Sequence, residues 1–273
     1  MKFNVIAGMP RSGSTLLCNV LNQNPRFFAS STSCMAQTVR NVSGLWSRSP
    51  EIKSDLIADK EGTEARMTRS VRALVEAWYA DKTEVVFDKG RFWNLSALLL
   101  NQLFPDAQML ICVRDLRAIF ASVEKQHAKN PMLDDAGNPA ELTAFNRADR
   151  LFGPQGMLGQ QIMGIEDLIR RNLRNQKDKP FTHPIQYETF VQNPQLVIDR
   201  VYTLLGEEPF EHDFEHVENT ATDVDGIYNN KFPHRGEGKI EPREEDWRKH
   251  VPQDIAGLIM QKFAGYNRAF GYQ

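Results

Sequence analysis

The sequence lacks the features that mark membrane and secreted proteins. No apolar run approaches the roughly 18 residues that a membrane-spanning helix requires. The chain also opens on strand-forming residues, where a secreted protein would have a charged and apolar leader peptide. We therefore predict a cytoplasmic protein without a membrane span.

Cysteine is scarce, with three residues in a chain of 273. Cys18, Cys34 and Cys112 lie in apolar patterns and lack the paired spacing that zinc sites use. None has a histidine or a basic helix start nearby that would favour the reactive thiolate. We expect all three to be core residues in a reducing compartment, and we expect no metal.

Acidic residues are absent from the N-terminal stretch. Residues 1–50 contain no Asp, Glu or His, although the whole chain carries a formal net charge of −2. The basic residues of the same stretch are Lys2, Arg11, Arg26, Arg40 and Arg48. A total charge near zero argues against a general nucleic-acid-binding surface, whereas local positive charge favours a small anionic ligand.

That stretch contains the order strand, tight turn, helix. Residues 3–7 form an apolar run, Gly8 and Gly13 bound a turn, and apolar residues at helical spacing follow over 15–21. Such a turn directs successive backbone N–H groups at one anion, at the positive N-terminus of a helix. The pattern predicts a phosphate- or sulfate-binding loop.

The loop differs from that of nucleoside triphosphatases at one position. Ser14 and Thr15 follow Gly13, so Ser14 stands where the phosphate-loop lysine would be. Without that lysine a triphosphate loses its main charge partner. Arg11 can still bind a single terminal anion through its forked guanidinium.

Strand-like and helix-like segments alternate along the chain. Apolar runs predict strands at 3–7, 27–30, 84–89, 108–114 and 183–187. Helical patterns cover 34–81, broken near Gly44, Pro50 and Gly62, and then 95–104, 115–127, 157–175, 194–205 and 255–263. We predict one α/β domain over 1–273, with a three-layer, P-loop-like fold in which helices flank a central parallel sheet.

Two stretches do not follow this alternation. Residues 129–160 contain glycines and prolines between short apolar clusters, and we predict a mobile lid or an acceptor-binding excursion there. Residues 207–247 are expected to be mostly loop.

Three predicted strands end in residues that suit an anion site. The loop follows the first strand, Asp88 and Lys89 end the third, and Arg114 ends the fourth. In open parallel sheets ligands bind beyond the carboxyl ends of the strands. We therefore expect these residues to share one site.

Together these blocks resemble the sulfotransferases that use 3′-phosphoadenosine 5′-phosphosulfate (PAPS) as donor, and within them the tyrosylprotein branch. The resemblance rests on Pro10-Arg11-Ser12-Gly13-Ser14-Thr15, on Phe87-Asp88-Lys89, on Leu103-Phe104-Pro105, on Val113-Arg114-Asp115-Leu116-Arg117-Ala118 with Ser122, and more weakly on Tyr187-Glu188, Pro194 and Leu204-Leu205-Gly206.

The resemblance implies in-line transfer of a sulfuryl group from PAPS to a hydroxyl acceptor, with no metal. It implies that residues 10–15 bind the 5′-phosphosulfate, with Arg11 on the 5′-phosphate and Ser12 on the donor or the sulfonate. Arg114 and Ser122 would bind the 3′-phosphate, and Lys89 would support the departing nucleotide. It further implies that Tyr187 contacts the nucleotide and that the segment His234-Arg235-Gly236-Glu237-Gly238-Lys239 closes over it, with Lys239 reaching the donor.

The proton acceptor is where the chain departs from the family pattern. Tyrosylprotein enzymes place a glutamate a few residues after the equivalent of Pro25, where this chain has Ala29-Ser30-Ser31-Thr32-Ser33. The remaining candidates are Asp88, Glu51 and His127. The acceptor itself stays open among peptide tyrosine, carbohydrate, lipid and small alcohol, and the sequence does not give the oligomeric state.

Two alternatives from other classes remain. A P-loop kinase would need Asp88 or Asp115 to hold magnesium, and it would have to work without the loop lysine. A non-catalytic nucleotide-binding protein would fit the missing glutamate but would leave Lys89 without a task.

Overall fold

The computed structural model describes residues 1–134, 138–171, 179–221, 226, 233, 236–242 and 246–273. Within them one parallel sheet has five strands in the order β2-β3-β1-β4-β5. The strands are β1 Lys2–Gly8, β2 Phe27–Thr32, β3 Val85–Lys89, β4 Met109–Val113 and β5 Thr182–Gln186. Every residue of β3 and β4 is buried, as expected of strands covered on both faces.

Helices connect the strands and cover the sheet. Those that the structure describes are α1 Ser14–Leu21, α2 Met35–Trp46, α3 Pro50–Ala58, α4 Lys60–Trp78, α5 Ala97–Leu103, α6 Leu116–Lys129, α7 Ala144–Phe152, α8 Met157–Arg171, α9 Tyr187–Gln192, α10 Pro194–Leu205, α11 Gln253–Lys262 and α12 Ala264–Ala269. Short 3₁₀ helices cover Arg91–Leu95 and Trp247–Lys249.

The core consists of two apolar clusters, one on each face of the sheet. Val5 and Ala7 belong to the cluster under α2, α4 to α8, α11 and α12, whereas Ile6 belongs to the cluster under α1, α9 and α10. Adjacent residues of a strand point to opposite faces, so one short apolar run serves both clusters. This is the predicted three-layer α/β fold.

The strand register aligns the carboxyl ends at one edge. The last pairs are Thr32 with Lys89, Gly8 with Cys112 and Val113 with Gln186. The loops that follow β1, β3, β4 and β5 therefore leave the sheet side by side, and this edge is where the site forms.

Several helix boundaries differ from the prediction. Gly44 and Gly62 lie inside α2 and α4 and do not end them. The breaks fall instead at capping residues, since the Ser49 side chain accepts from the N–H of Ile52 and the Asp59 side chain accepts from the N–H of Gly62. Side-chain caps of this kind satisfy the first N–H groups of a helix.

Cys34 corrects the expectation that all three cysteines are core residues. Cys18 and Cys112 are buried, but Cys34 lies in the turn before α2 and is exposed. Its neighbours Met35 and Ala36 take the buried positions.

The stretch 129–160 contains regular structure in place of the irregular excursion expected. Helix α7 lies within it, and the buried Phe152 ring packs 5.9 Å from Phe120 and 5.8 Å from Phe263. The aromatic contacts attach α7 to the core. Residues 135–137 of this stretch lie outside the described residues.

In the described part of the chain, no helix combines the length and the apolar character needed to cross a membrane.

Candidate active site

A cleft at the carboxyl edge of the sheet collects most of the predicted site residues. Its lining includes Pro10, Arg11, Gly13, Ser14, Thr15, Lys89, Arg114, Ser122, Tyr187 and Lys239. These residues come from the loop after β1, the first turn of α1, the end of β3, the residue after β4, α6, α9 and a segment near residue 240, and the sheet register is what brings them together.

The loop after β1 depends on two glycines. Gly8 has φ 133° and Gly13 has φ 89°. A Cβ atom at Gly8 would lie 2.4 Å from the carbonyl oxygen of Cys112, and one at Gly13 would lie 2.6 Å from Cδ2 of Tyr187. Both positions therefore exclude a side chain on backbone conformation and on space.

Ser12 stabilises this loop from the inside. Its side chain is buried, and the hydroxyl donates to the carbonyl oxygen of Met9 over 2.6 Å. The cleft lining includes the residues on both sides of Ser12 but not Ser12 itself. The geometry thus disagrees with the expected contact between the Ser12 side chain and the donor.

Arg11, Arg114 and Ser122 form one polar cluster. Arg11 Nε donates to Ser122 Oγ over 3.1 Å, and Arg114 donates to the Arg11 carbonyl oxygen over 2.9 Å. The Arg114 guanidinium also lies 4.2 Å from the centre of the Tyr187 ring. Arg11 has φ 64°, the left-handed conformation that side chains rarely adopt, so the loop holds it there at some cost.

This cluster changes the expected division of labour. The resemblance assigned Arg11 to the 5′-phosphate and Ser122 to the 3′-phosphate, yet the two side chains are in direct contact. The Arg11 guanidinium and the Ser122 hydroxyl therefore lie close enough to bind one anionic group, and Arg114 reaches the same loop through the Arg11 carbonyl oxygen.

Lys89 lies on the other side of the loop. Its Nζ donates to Thr15 Oγ1 over 3.2 Å, and its backbone N–H donates to Ser30 Oγ over 2.9 Å. The residue is 5% exposed. A cation thus lies against the first turn of α1, where the loop N–H groups also converge.

A family model whose description is "Sulfotransferase family" matches residues 5–212. The chain belongs to the sulfotransferase family. The matched region contains the loop, Lys89, Arg114, Ser122 and Tyr187, so the resemblance inferred from these blocks is confirmed.

Curated relatives agree with this family. The chain is 24% identical over 258 residues to the protein-tyrosine sulfotransferase 2 of Gallus gallus, covering 92% of this chain and 64% of that protein. It is 26% identical to the nodulation protein NoeE of Sinorhizobium fredii, covering 79% of this chain and 52% of that protein. The chain therefore spans less than two thirds of the length of these relatives.

Solved structures share the fold. The mouse sulfotransferase SULT7A1 complexed with PAP has a TM-score of 0.54 at 10% identity, covering 98% of this chain and 84% of that one. The sulfotransferase domain of the Synechococcus PCC 7002 olefin synthase has a TM-score of 0.52 at 18% identity, covering 96% and 94%.

None of the three candidate bases, Asp88, Glu51 and His127, lines the cleft. Asp88 has no exposed surface, and it accepts hydrogen bonds from the Tyr79 hydroxyl and, over 2.6 Å, from Trp93 Nε1. Burial raises the pKa of Asp88 although these donors and Ser33 oppose the shift. In a strand Asp88 and Lys89 must point to opposite faces, and Lys89 takes the cleft side.

The other two candidates lie elsewhere on the molecule. Glu51 is in the first turn of α3, where the Ser49 hydroxyl lowers its pKa by donating a hydrogen bond. His127 is in the last turn of α6, five residues beyond Ser122.

Two carboxylates that sequence reasoning did not select do line the cleft. Glu237 and Glu241 belong to the segment 236–242, and both are exposed. The signal was present for Glu237, because it lies inside the glycine-rich piece that the resemblance places over the donor. Arg91 also lines the cleft, two residues beyond Lys89 at the same strand end.

The segment 236–242 is attached to the phosphate loop helix. Asn19 Nδ2 of α1 donates to the Gly236 carbonyl oxygen over 2.6 Å, and a Cβ atom at Gly236 would lie 2.8 Å from the Leu16 nitrogen. Lys239 Nζ forms an ion pair of 2.9 Å with Glu215, which raises the pKa of Lys239. His234 and Arg235 lie outside the described residues.

The remaining wall of the cleft is apolar. It consists of Ile119, Val123, Leu151, Met157 and Leu158. Helix α8 is held close to the turn after β3, because Asn94 Nδ2 donates to Gln161 Oε1 over 3.0 Å and a Cβ atom at Gly164 would lie 2.7 Å from Leu95 Cδ2. This packing brings Met157 into contact with the Arg91 guanidinium.

Proposed function

We propose that this protein transfers a sulfuryl group from PAPS to a hydroxyl acceptor. The observation that carries the proposal is the presence of cationic groups on both sides of a phosphate-binding loop in which serine replaces the usual P-loop lysine. Lys89 lies against Thr15 on one side, and Arg11, Arg114 and Ser122 converge on the other. Two separate anionic groups on one ligand match this arrangement, and PAPS carries a 5′-phosphosulfate and a 3′-phosphate.

The residues present fit this donor. Loop N–H groups at the start of α1 suit the 5′-phosphosulfate, as helix N-termini suit anions in general. The guanidinium groups of Arg11 and Arg114, with the Ser122 hydroxyl, suit the 3′-phosphate that ATP lacks. The solved relative with the similar fold is described as complexed with PAP, which supports the same donor class here.

Catalysis in this proposal is positioning and charge stabilisation. The donor supplies a sulfuryl group on an anionic leaving group, and transfer breaks the bond between sulfur and the bridging oxygen. Lys89 stabilises the negative charge that develops on that oxygen, and the loop N–H groups hold the phosphate in line. The acceptor loses a proton as its oxygen bonds to sulfur, and the described residues offer only Glu237 and Glu241 as cleft carboxylates that could receive it.

The kinase alternative loses support from the structure. Asp88 is buried away from the cleft, and Asp115 caps α6 and forms an ion pair of 2.8 Å with Arg117. Neither carboxylate is placed to hold magnesium against a phosphate in the cleft. The non-catalytic alternative is disfavoured by Lys89, because its amine contacts Thr15 in the first turn of α1, where it can stabilise charge on a departing nucleotide.

The acceptor is proposed only as a hydroxyl. The relatives named protein-tyrosine sulfotransferases favour a phenol as one candidate, beside carbohydrate and small alcohol. A cytoplasmic location and a lid function for 129–160 stay predictions.

The donor proposal is tested by titration calorimetry with adenosine 3′,5′-bisphosphate (PAP), AMP and Mg-ATP. We expect the wild type to bind PAP most tightly, and Arg114→Ala to weaken PAP binding by about 10- to 100-fold with little change for AMP. Arg72→Ala, which removes an exposed arginine that is paired with Glu76 and does not line the cleft, is the control for net charge. Binding of Mg-ATP that equals that of PAP, with no effect of Arg114, would exclude the proposal and favour a kinase.

Sulfuryl transfer itself is tested with labelled PAPS and a pool of phenols, sugars and alcohols. Tight PAP binding without transfer to any of them would favour the non-catalytic alternative.

A further inference from the structure

The C-terminal strap, residues 263–272, hydrogen-bonds to the backbone of the site residue Arg114. Its central residue Tyr266 is fully buried, and its hydroxyl makes two hydrogen bonds to the backbone of one residue, Arg114. The Arg114 N–H donates to the hydroxyl over 3.1 Å, and the hydroxyl donates to the Arg114 carbonyl oxygen over 3.0 Å. Burial raises the pKa of Tyr266 well above its ordinary value, so the hydroxyl keeps the proton that the second bond needs.

Arg114 is the position where such support is needed. The ladder between β4 and β5 ends at the pair Val113 and Gln186, so Arg114 is the first residue beyond it. Buried backbone groups outside a ladder require other partners, and one hydroxyl serves both groups here. Both backbone groups of Arg114 are therefore bonded to Tyr266 at the point where the side chain leaves the sheet.

The strap also joins the two neighbouring turns. Gln186 Nε2 donates to the Phe270 carbonyl oxygen over 3.0 Å, and the Tyr272 hydroxyl donates to Glu188 Oε2 over 2.9 Å. The other oxygen of Glu188 accepts from the N–H of Asp115 over 3.1 Å. Both neighbours of Tyr187 are thereby bonded to the strap, and Asp115, the residue after Arg114, is joined to it through Glu188.

The strap has an anchor of its own. The N–H of Tyr266 donates to Glu166 Oε1 of α8 over 2.7 Å, and the Tyr266 ring packs 4.8 Å from Phe270. These contacts hold the hydroxyl in place independently of any ligand. The strap lies outside the region 5–212 that the family model matches, so nothing in the family assignment covers it.

We propose that Tyr266 is a positioning residue that sets the Arg114 guanidinium for the 3′-phosphate of the donor. This inference rests on the proposed function. It assigns to the C-terminal strap a share of the selectivity for nucleotides that carry a 3′-phosphate, through the backbone of Arg114 and not through contact with the ligand.

The test compares Tyr266→Phe with wild type by titration of PAP and of AMP, which lacks the 3′-phosphate. We expect the Kd for PAP to rise about tenfold, the value of one hydrogen bond lost between a misplaced Arg114 and the 3′-phosphate, while the Kd for AMP changes less than about twofold. Tyr202→Phe is the matched control, because its buried hydroxyl bonds Asn24 and His212 in the other core cluster. This control variant should be less stable than the wild type, but the ratio of its Kd for AMP to its Kd for PAP should stay the same.

A double mutant tests the route of the effect. If Tyr266 acts through Arg114, Tyr266→Phe should not weaken PAP binding further in an Arg114→Ala background, which is strong coupling between the two sites. Additive losses, or an equal loss of PAP and AMP in the single mutant, would show a merely structural role and overturn the inference.

The outcomes separate this inference from the donor proposal. A wild type that does not prefer PAP over AMP overturns both. If the wild type prefers PAP and the Tyr266→Phe variant keeps the same ratio of the Kd for AMP to the Kd for PAP, only the role of Tyr266 is overturned. Should Tyr266→Phe not fold, Tyr272→Phe serves instead, because it releases the end of the strap. The ratio of the Kd for AMP to the Kd for PAP should then fall about threefold. An unchanged ratio would refute the inference.

Discussion

The two halves of the cleft are built differently. The nucleotide half, formed by the loop, Arg114, Ser122 and Tyr187, is a set of side chains that bond to each other and to backbone, with two glycines where no Cβ fits. The outer half, formed by Arg91 and the apolar wall of α6 to α8, is lined mainly by aliphatic and thioether side chains. Lys89 lies between the two.

The difference indicates what each half is built to do. Hydrogen bonds and glycines that fix a geometry favour one ligand of defined shape, because each polar group must find its partner. An apolar wall selects by size and tolerates changes of substituent, since one methylene is worth only about 1–3 kcal/mol in a pocket. We therefore expect a fixed donor and an acceptor set by the outer half.

The largest expected effect is at the boundary, where Lys89 belongs to neither half. Lys89→Ala should lower kcat by about 10³-fold while the Kd for PAPS changes less than about threefold, because the amine stabilises charge that is absent from the bound donor and develops during transfer. Single-turnover kinetics at varied PAPS concentration measure the two quantities. Lys89→Arg keeps the charge and should recover part of the rate, whereas an equal loss of affinity and rate would place Lys89 in the nucleotide half.

The next effect should be confined to the nucleotide half. Gly13→Ala places a Cβ 2.6 Å from Tyr187 at a backbone φ of 89°, so the loop or the ring must move. We expect the Kd for PAP to rise by at least about tenfold and the Tm to fall, because the left-handed conformation alone costs about 1–2 kcal/mol.

Gly257→Ala is the matched control for that change. No atom lies within 4 Å of a Cβ at Gly257, which is in α11. Alanine is the better helix former by about 1 kcal/mol, so the Tm should rise and PAP binding should stay unchanged. Equal behaviour of the two variants would mean that the loop tolerates a side chain at Gly13.

A smaller effect should appear in the outer half. Met157→Ala removes the thioether that contacts Arg91 and widens the cleft at its apolar wall. We expect the acceptor KM to rise about 3- to 10-fold, with the Kd for PAP unchanged, because truncation of one apolar side chain costs about 1 kcal/mol or slightly more. Initial rates at saturating PAPS measure it, and a change in the Kd for PAP would show that the two halves are not separate.

The sequence predicted the nucleotide half better than the outer half for a physical reason. The strands and the loop follow from local patterns of apolar residues and glycine, and the register of a parallel sheet then brings their ends together. The Tyr266 contact with Arg114 joins residues 152 apart, and no local pattern marks it. The wall of α6 to α8 is likewise a product of packing, since aliphatic residues at helical spacing read the same in a core and in a pocket.

One miss was avoidable from the sequence alone. Asp88 and Lys89 are adjacent in a strand, so only one of them can face the cleft, and a base at Asp88 was incompatible with a catalytic Lys89. The inward orientation of Ser12 was not predictable in this way, because it depends on the turn that the loop adopts around Met9.

The smallest effect concerns the support beneath the outer half, where Asp88 ties Tyr79 to Trp93 of the turn that carries Arg91. Burial raises the pKa of Asp88 above its value in the unfolded chain, so the folded state holds the proton more tightly. Stability from this group is therefore present at low pH and declines as pH rises from about 4 through the raised pKa. The asparagine of Asp88→Asn cannot titrate. As the pH rises, the Tm of the wild type should therefore fall relative to the Tm of the variant. A difference that grows with pH would mean that the bonds from Tyr79 and Trp93 outweigh burial and that the ionised carboxylate is the form the fold prefers.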